Sequence, residues 1–232
     1  MAQRVARLVN AVGLELLGGL AVLAVGAWIF GAVAEELAEG DTHVDTRFAN
    51  WLHDHATPGW TSFFEKVTWL GNVPVWVTVA SAAALVLWRK GLYAELQLFV
   101  LAVVGTQVLT YGLKLGFERE RPFFPDPLAT ESSYSFPSGH SSMSLAVYGT
   151  LGYIVARHAS TRGRQLAALA AAAILVLLIG FSRLYLGVHF LSDVIAGFSL
   201  ALAWIALCVV LLHLRLRLKA RRDQTSRYTA SA

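Results

Sequence analysis

Six apolar stretches follow one another along this chain: Ala11 to Ala34, Val73 to Trp88, Leu92 to Lys114, Ser141 to Ala156, Gln165 to Ser182 and Phe190 to Leu214. A helix of about 20 apolar residues crosses the roughly 30 Å hydrocarbon core of a bilayer, and only helices and closed barrels can satisfy their backbone there. The stretches are continuously apolar and lack the period-two alternation of a membrane barrel, so helices are expected. With 56% hydrophobic and 15% charged residues among 232, they consume most of the chain. The expected fold is all-α: one integral membrane domain over 1–232, a bundle of about six transmembrane helices with short connections.

The first stretch follows Arg4 and Arg7 and ends in Ala32-Val33-Ala34 before two glutamates, which mimics a secretory signal. At roughly 24 residues it exceeds the apolar region of about 7 to 15 typical of a signal, and it is read as a retained span. From 35 to 70 the chain turns acidic and aromatic. Phe48, Trp51, Leu52 and His55, then Trp60, Phe63, Phe64 and Val67, recur at helical spacing around Pro58-Gly59. Two short helices lying at the outer membrane interface are expected there, between the first and second spans. Cys208 has no partner in the chain and sits within an apolar stretch, so it is read as a small buried hydrophobe.

A net charge of +4 is compatible with a nucleic-acid partner, but its placement reads as topology. Arg4 and Arg7, Arg89 and Lys90, Arg157, Arg162 and Arg164, and the tail residues Arg215, Arg217, Lys219, Arg221, Arg222 and Arg227 share one side of a six-span arrangement. They are 13 of the 19 Lys and Arg. The positive-inside rule makes that side cytoplasmic, with residues 1–10 and the basic tail 215–232 both inside a plasma (inner) membrane. No zinc-knuckle spacing or RNA-binding aromatic signature is present, so no nucleic-acid partner is expected, and no obligate protein partner is evident.

Three polar clusters then fall together on the outer face: Lys114 to Pro122, Pro137 to His140 and Ser182 to Asp193. On a continuing helix, Lys114 and Arg121 would share one stripe, about 10 Å apart, and could converge on one anion. Arg183 adds a guanidinium fork suited to phosphate oxygens. Three cations at a membrane edge call for an anionic ligand. Ser138-Gly139-His140 opens a helix, whose free N–H groups favour phosphate; Gly139 permits close approach and Ser138 offers a hydroxyl. His189 and Asp193, four apart, would share a helix face, the carboxylate taking the proton of one ring nitrogen and leaving the other as nucleophile. His140 is then available to protonate a leaving oxygen and to deprotonate water.

The pattern K-x6-R-P from Lys114 to Pro122, P-S-G-H from Pro137 to His140 and S-R-x5-H-x3-D from Ser182 to Asp193 resembles the type 2 phosphatidic acid phosphatase superfamily at every defining position. The motif region covers about a third of the chain. The resemblance implies a six-helix membrane bundle that hydrolyses lipid phosphates on the extracytoplasmic face. It implies attack by His189 to form a phosphohistidine, Asp193 as its orienting partner and His140 as general acid then base. Lys114, Arg121, Ser138, Gly139 and Arg183 would hold the phosphoryl oxygens, with no metal and no cofactor.

The expected activity is hydrolysis of undecaprenyl diphosphate, phosphatidylglycerophosphate or phosphatidate, with undecaprenyl diphosphate placed first. A lipid phosphotransferase using the same phosphohistidine is the main alternative. A non-catalytic lipid transporter leaves the His and Asp set without a role, and haloperoxidase chemistry suits a lipid-facing bundle poorly. Glu118, Arg119 and Glu120 are expected to form a solvated turn. Gln107, Thr110 and Tyr111 are assigned to hydrogen bonds between helices, and His53-Asp54-His55 to a solvated helix in preference to a metal site.

Overall fold

The computed structural model describes residues 2–40 and 42–230, with side chains for 16–40, 42–215, 217 and 218. The side chains of Arg4, Arg7, Lys219, Arg221, Arg222 and Arg227, on which much of the charge asymmetry rests, lie outside the described residues. Among the described residues the regular elements are helical: α1 (Ala2–Ala38), α2 (His43–Asp54), α3 (Pro58–Thr68), α4 (Val73–Arg89), α5 (Tyr93–Phe117), α6 (Gly139–Ser144), α7 (Thr150–His158), α8 (Arg162–Tyr185) and α9 (Leu191–Ala230). A 3₁₀ turn at Trp69–Gly71 links α3 towards α4, and a π segment at Leu145–Gly149 joins α6 to α7.

Local sequence sets several of these boundaries. Pro58 starts α3 at a position where a missing N–H costs nothing. Gly91, at φ 70°, takes the left-handed conformation that ends α4 and turns the chain into α5.

Among the described residues, four stretches are long and apolar enough to cross a membrane: Leu16–Ala38, Tyr93–Phe117, Arg162–Tyr185 and Leu191–Arg215. A fifth arises if Pro58–Gly71 and Val73–Arg89, bent by 46° at Asn72, count as one broken span. By length and composition the expected count of six is thus not confirmed. The second expected span, α4, has only 17 residues. The fourth is a helical run from Gly139 to His158 that the π segment divides into short pieces.

The long helix α9 is the axis of the bundle, packing against α1, α5 and α6. Trp204 donates from Nε1 to the Leu101 carbonyl at 2.8 Å, tying α9 to α5. The alanines of α8 let α7 approach closely, and a Cβ added to Gly152 would fall on that of Ala172. Both short helices expected around Pro58 form. Each buries one face at an end of the bundle, Leu52 and Phe64 joining Leu184, Tyr185, Leu186 and Val194, while Trp51 and Trp60 stay exposed.

Candidate active site

The three polar clusters meet around a cavity of about 820 Å³ between α4, α5, the start of α6 and the connection that leads into it. Lys114, Arg121, Gly139, His140 and His189 line it. Asp193, Arg183 and Ser138 stand immediately behind, nearly or fully buried.

The position of His189 is set by how α8 ends. Gly187, at φ 68°, accepts a left-handed conformation; its N–H reaches Leu184 O at 3.0 Å and Val188 N–H reaches Arg183 O at 3.2 Å. This double closure turns the chain sharply towards α9. His189 therefore precedes α9 instead of lying on it, a correction to the shared helix face, while Asp193 occupies the first turn.

The pairing survives that change. His189 Nδ1 donates to Asp193 Oδ2 at 3.3 Å, and the same oxygen accepts from Phe190 N–H at 2.8 Å and from the Ser135 hydroxyl. With Nδ1 so engaged, Nε2 carries the lone pair, which accepts from Arg121 Nη1 at 3.1 Å. Burial pushes the His189 imidazole down to about 3 from the ordinary 6.5, against the opposing pull of Asp193. The ring is therefore neutral, the state a nucleophile needs.

The cations converge by a different route from the one expected. Helix α5 stops at Phe117, and Glu118 at φ 46° closes it in a left-handed cap. Arg121 thus lies on the following loop, so the two-turn helical stripe is absent. Lys114 Nζ donates to the Tyr134 carbonyl and, at 3.4 Å, to Ser135 O. Arg121 donates to Ser133 O at 2.6 Å and to Val188 O at 2.5 Å. Arg183 donates from Nη1 to Thr68 Oγ1 at 2.6 Å and from Nη2 to the Glu131 carboxylate. Its Nε is buried with no hydrogen-bond partner among the described residues. The segment from Glu131 to Ser135 thus engages all three cations, its carbonyls and one carboxylate standing where an anion's oxygens could bind.

The P-S-G-H stretch is docked against α9. Ser138 N–H donates to Asp193 O at 2.9 Å, and a Cβ on Gly197 would come within 2.6 Å of Ser138 O, so a glycine is required there. Ser138 Oγ caps α6, accepting from Ser141 N–H at 3.4 Å and from the Ser141 hydroxyl at 3.0 Å. It is not among the residues that line the cavity, and its hydroxyl is engaged at this cap. Gly139 and His140 do line it. Their N–H groups open the helical run and have no intrahelical acceptor.

Arg119 is the largest surprise. Expected in a solvated turn, it is buried and bridges two carboxylates, Asp193 Oδ1 at 2.6 Å and Asp45 Oδ2 at 2.7 Å; Glu118 and Glu120 do stay exposed. Asp45, on α2, also accepts from Ser192 N–H at 2.9 Å. Nothing local in the sequence marks this pairing, since its members are more than 70 residues apart.

Thr110 makes the interhelical bond expected of it, donating to Ser142 Oγ at 2.9 Å, yet with Gln107 and Tyr111 it also lines the cavity. Tyr134 lines the cavity too, whereas Phe136 is fully buried against Phe30 and Phe117. His53 stacks on Phe124 and pairs with Asp126 at 3.1 Å.

A family model described as the PAP2 superfamily matches residues 95–217. Phosphatidylglycerophosphatase B of Bacillus subtilis (strain 168) is 45% identical over 108 residues, which is 45% of this chain and 52% of that protein. The chain thus spans about half the length of this curated relative. A crystal structure of a transmembrane PAP2-type phosphatidylglycerolphosphate phosphatase from Bacillus subtilis superposes with a TM-score of 0.67 at 27% identity, covering 82% of this chain and 93% of that one. The crystal structure of LpxE from Aquifex aeolicus shares the fold, with a TM-score of 0.60 at 24% identity over 73% of this chain and 96% of that one.

Proposed function

We propose that this chain, which belongs to the PAP2 superfamily, hydrolyses membrane lipid phosphates or diphosphates through a phosphohistidine on His189. The observation that carries the reading is the His189 pairing: Nδ1 is held by Asp193, and Nε2 opens towards Arg121 in a cavity that also contains Lys114 and His140.

In the first step, Nε2 attacks phosphorus and the bond to the leaving oxygen breaks, with His140 giving that oxygen its proton. Lys114, Arg121 and Arg183, with the N–H groups of Gly139 and His140, balance charge on the equatorial oxygens. To make these contacts the phosphoryl group displaces the carbonyls and the Glu131 carboxylate that engage the cations. In the second step His140 takes a proton from water, water oxygen attacks phosphorus, and the N–P bond breaks to release phosphate and neutral His189.

The substrate class is supported by the membrane-spanning helices and by the apolar wall of the cavity, which includes Val73, Trp76 and Leu115. Phosphatidylglycerophosphate becomes the first substrate to test, because the name of the 45% identical relative specifies it; undecaprenyl diphosphate and phosphatidate follow. The site is assigned to the extracytoplasmic face of the plasma membrane, with both termini cytoplasmic, on the asymmetry of Lys and Arg. Water is the acceptor in this scheme; transfer to a second lipid is the alternative use of the same intermediate.

The test is phosphate release by the purified protein in detergent from each of these lipids. Release that persists in chelator, is blocked by vanadate and is lost in His189→Ala supports the reading. A strict magnesium requirement, or products that appear only when an acceptor lipid is added, contradicts it.

A further inference from the structure

We propose that Asn72 is a positioning residue for His140, fixing which ring nitrogen exchanges protons with the reactants. This inference rests on the role given to His140 above. Asn72 occupies the N-cap position of α4, where an asparagine side chain ordinarily accepts from an N–H of the first helical turn. Its side chain makes no such bond. It is turned instead towards the site, with Oδ1 lying 3.0 Å from His140 Nε2.

The backbone around Asn72 is built to hold that contact. A Cβ on Gly71 would come within 2.5 Å of His140 Cδ2 and 2.8 Å of Ile179 Cγ2, so only glycine lets the turn press this closely on the ring. The Tyr148 hydroxyl, from the π segment of the helical run that His140 opens, donates to Leu70 O at 2.6 Å. Asn72 N–H donates back to Trp69 O at 3.1 Å. The 46° bend between Pro58–Gly71 and α4 falls at this residue.

An amide oxygen accepts from an imidazole N–H in both the neutral and the cationic ring. The contact therefore keeps a proton on Nε2 and leaves Nδ1 to deliver and recover the catalytic proton. The groups whose charge acts on the ring are Lys114 from α5, Arg121 from the loop, Arg183 from α8 and His189 ahead of α9, and Glu131 lines the same cavity. The cations among them oppose a further positive charge, and the Asn72 oxygen is the acceptor that offsets it when His140 is protonated. The two histidines are thus given different partners. A carboxylate steadies the nucleophile, and a neutral amide steadies the group that must let its proton go.

The experiment compares Asn72→Leu, Asn72→Asp and His140→Ala with the unaltered full chain in detergent, on a lipid phosphate and on nitrophenyl phosphate. Asn72→Leu is expected to lower kcat on the lipid about 10- to 100-fold with KM within about twofold, and to lose less on the nitrophenyl ester, whose leaving group needs no proton. Asn72→Asp is expected to retain lipid activity and to move the alkaline limb of the kcat profile up by about one pH unit, because a carboxylate favours the charged ring. Equal losses on both substrates in Asn72→Leu, or an unmoved alkaline limb in Asn72→Asp, would overturn the inference. If His140→Ala shows the leaving-group dependence and Asn72→Leu does not, the inference alone fails. If His140→Ala lacks it too, the role of His140 fails, and this inference with it.

Discussion

Arg119 grips the oxygen of Asp193 that His189 does not use: Nη1 lies 2.6 Å from Oδ1, while Oδ2 faces the imidazole. Its other terminal nitrogen reaches Asp45 on α2 at 2.7 Å. The carboxylate that holds His189 is thereby anchored to a short helix outside the long helices of the bundle.

Removing Arg119 leaves two buried carboxylates facing each other without their shared cation, a change that typically costs about 3–5 kcal/mol. Arg119→Met is therefore expected to melt well below the unaltered protein in detergent and to lose kcat. Arg119→Lys, which restores the charge without the fork, is expected to recover melting temperature more than activity. An Arg119→Met protein that melts and turns over like the parent would show that the bridge is dispensable.

Glu131 occupies one nitrogen of the Arg183 edge that a phosphate would take with two oxygens, while Nε beside it is buried with no hydrogen-bond partner among the described residues. Glu131→Gln is expected to weaken this internal competitor and to tighten inhibition by inorganic phosphate or vanadate several-fold. Unchanged inhibition constants would mean that the carboxylate does not compete with the ligand.

Gly197 gives Ser138 O room against α9. Gly197→Ala should push the P-S-G-H loop away from Asp193 and lower kcat, with a loss of about 1–3 kcal/mol in stability from overpacking. Normal kcat in a well-folded Gly197→Ala protein would show that the loop tolerates displacement.

The neutral state of His189 has a consequence for stability. Its folded pKa is depressed to about 3 from the ordinary 6.5 by burial, so between those values the unfolded chain binds a proton that the folded chain refuses. Stability then rises with pH across that window, by up to about 1.4 kcal/mol per pH unit for this one group. His189→Gln should show a shallower loss of stability as pH falls from 6.5 towards 3. Parallel curves for the two proteins would place the proton on His189 in the folded state.

Much of the site was legible in the sequence because its chemistry is carried by short motifs at span ends. Lys114, Arg121, Gly139, His140 and His189 do reach one cavity, and Asp193 does hold His189. The exact backbone beneath them was not legible. A left-handed residue at Glu118 and the closure at Gly187 replaced two inferred helical stripes with loops, and such terminations depend on tertiary packing as much as on local propensity. Arg119, Glu131 and Asn72 escaped for a different reason. Their partners lie 52 to 74 residues away, and a lone polar residue in a connection carries no spacing that betrays a distant contact. The bend at Asn72 and the π segment at Leu145–Gly149 were not legible either, since an apolar run gives no sign that it will be divided.

In the proposed mechanism phosphorus is transferred to His189 before it reaches water. Rapid quenching of the purified protein with a lipid substrate labelled in the phosphate should trap a protein-bound label that is stable in alkali and lost in acid. The label should accumulate in His140→Ala with a substrate whose leaving group needs no proton, because dephosphorylation is slowed, and should be absent from His189→Ala. A His189→Ala protein that still acquires the label, or a His140→Ala protein that turns over such a substrate at the parent's rate with no label at any quench time, would contradict the account.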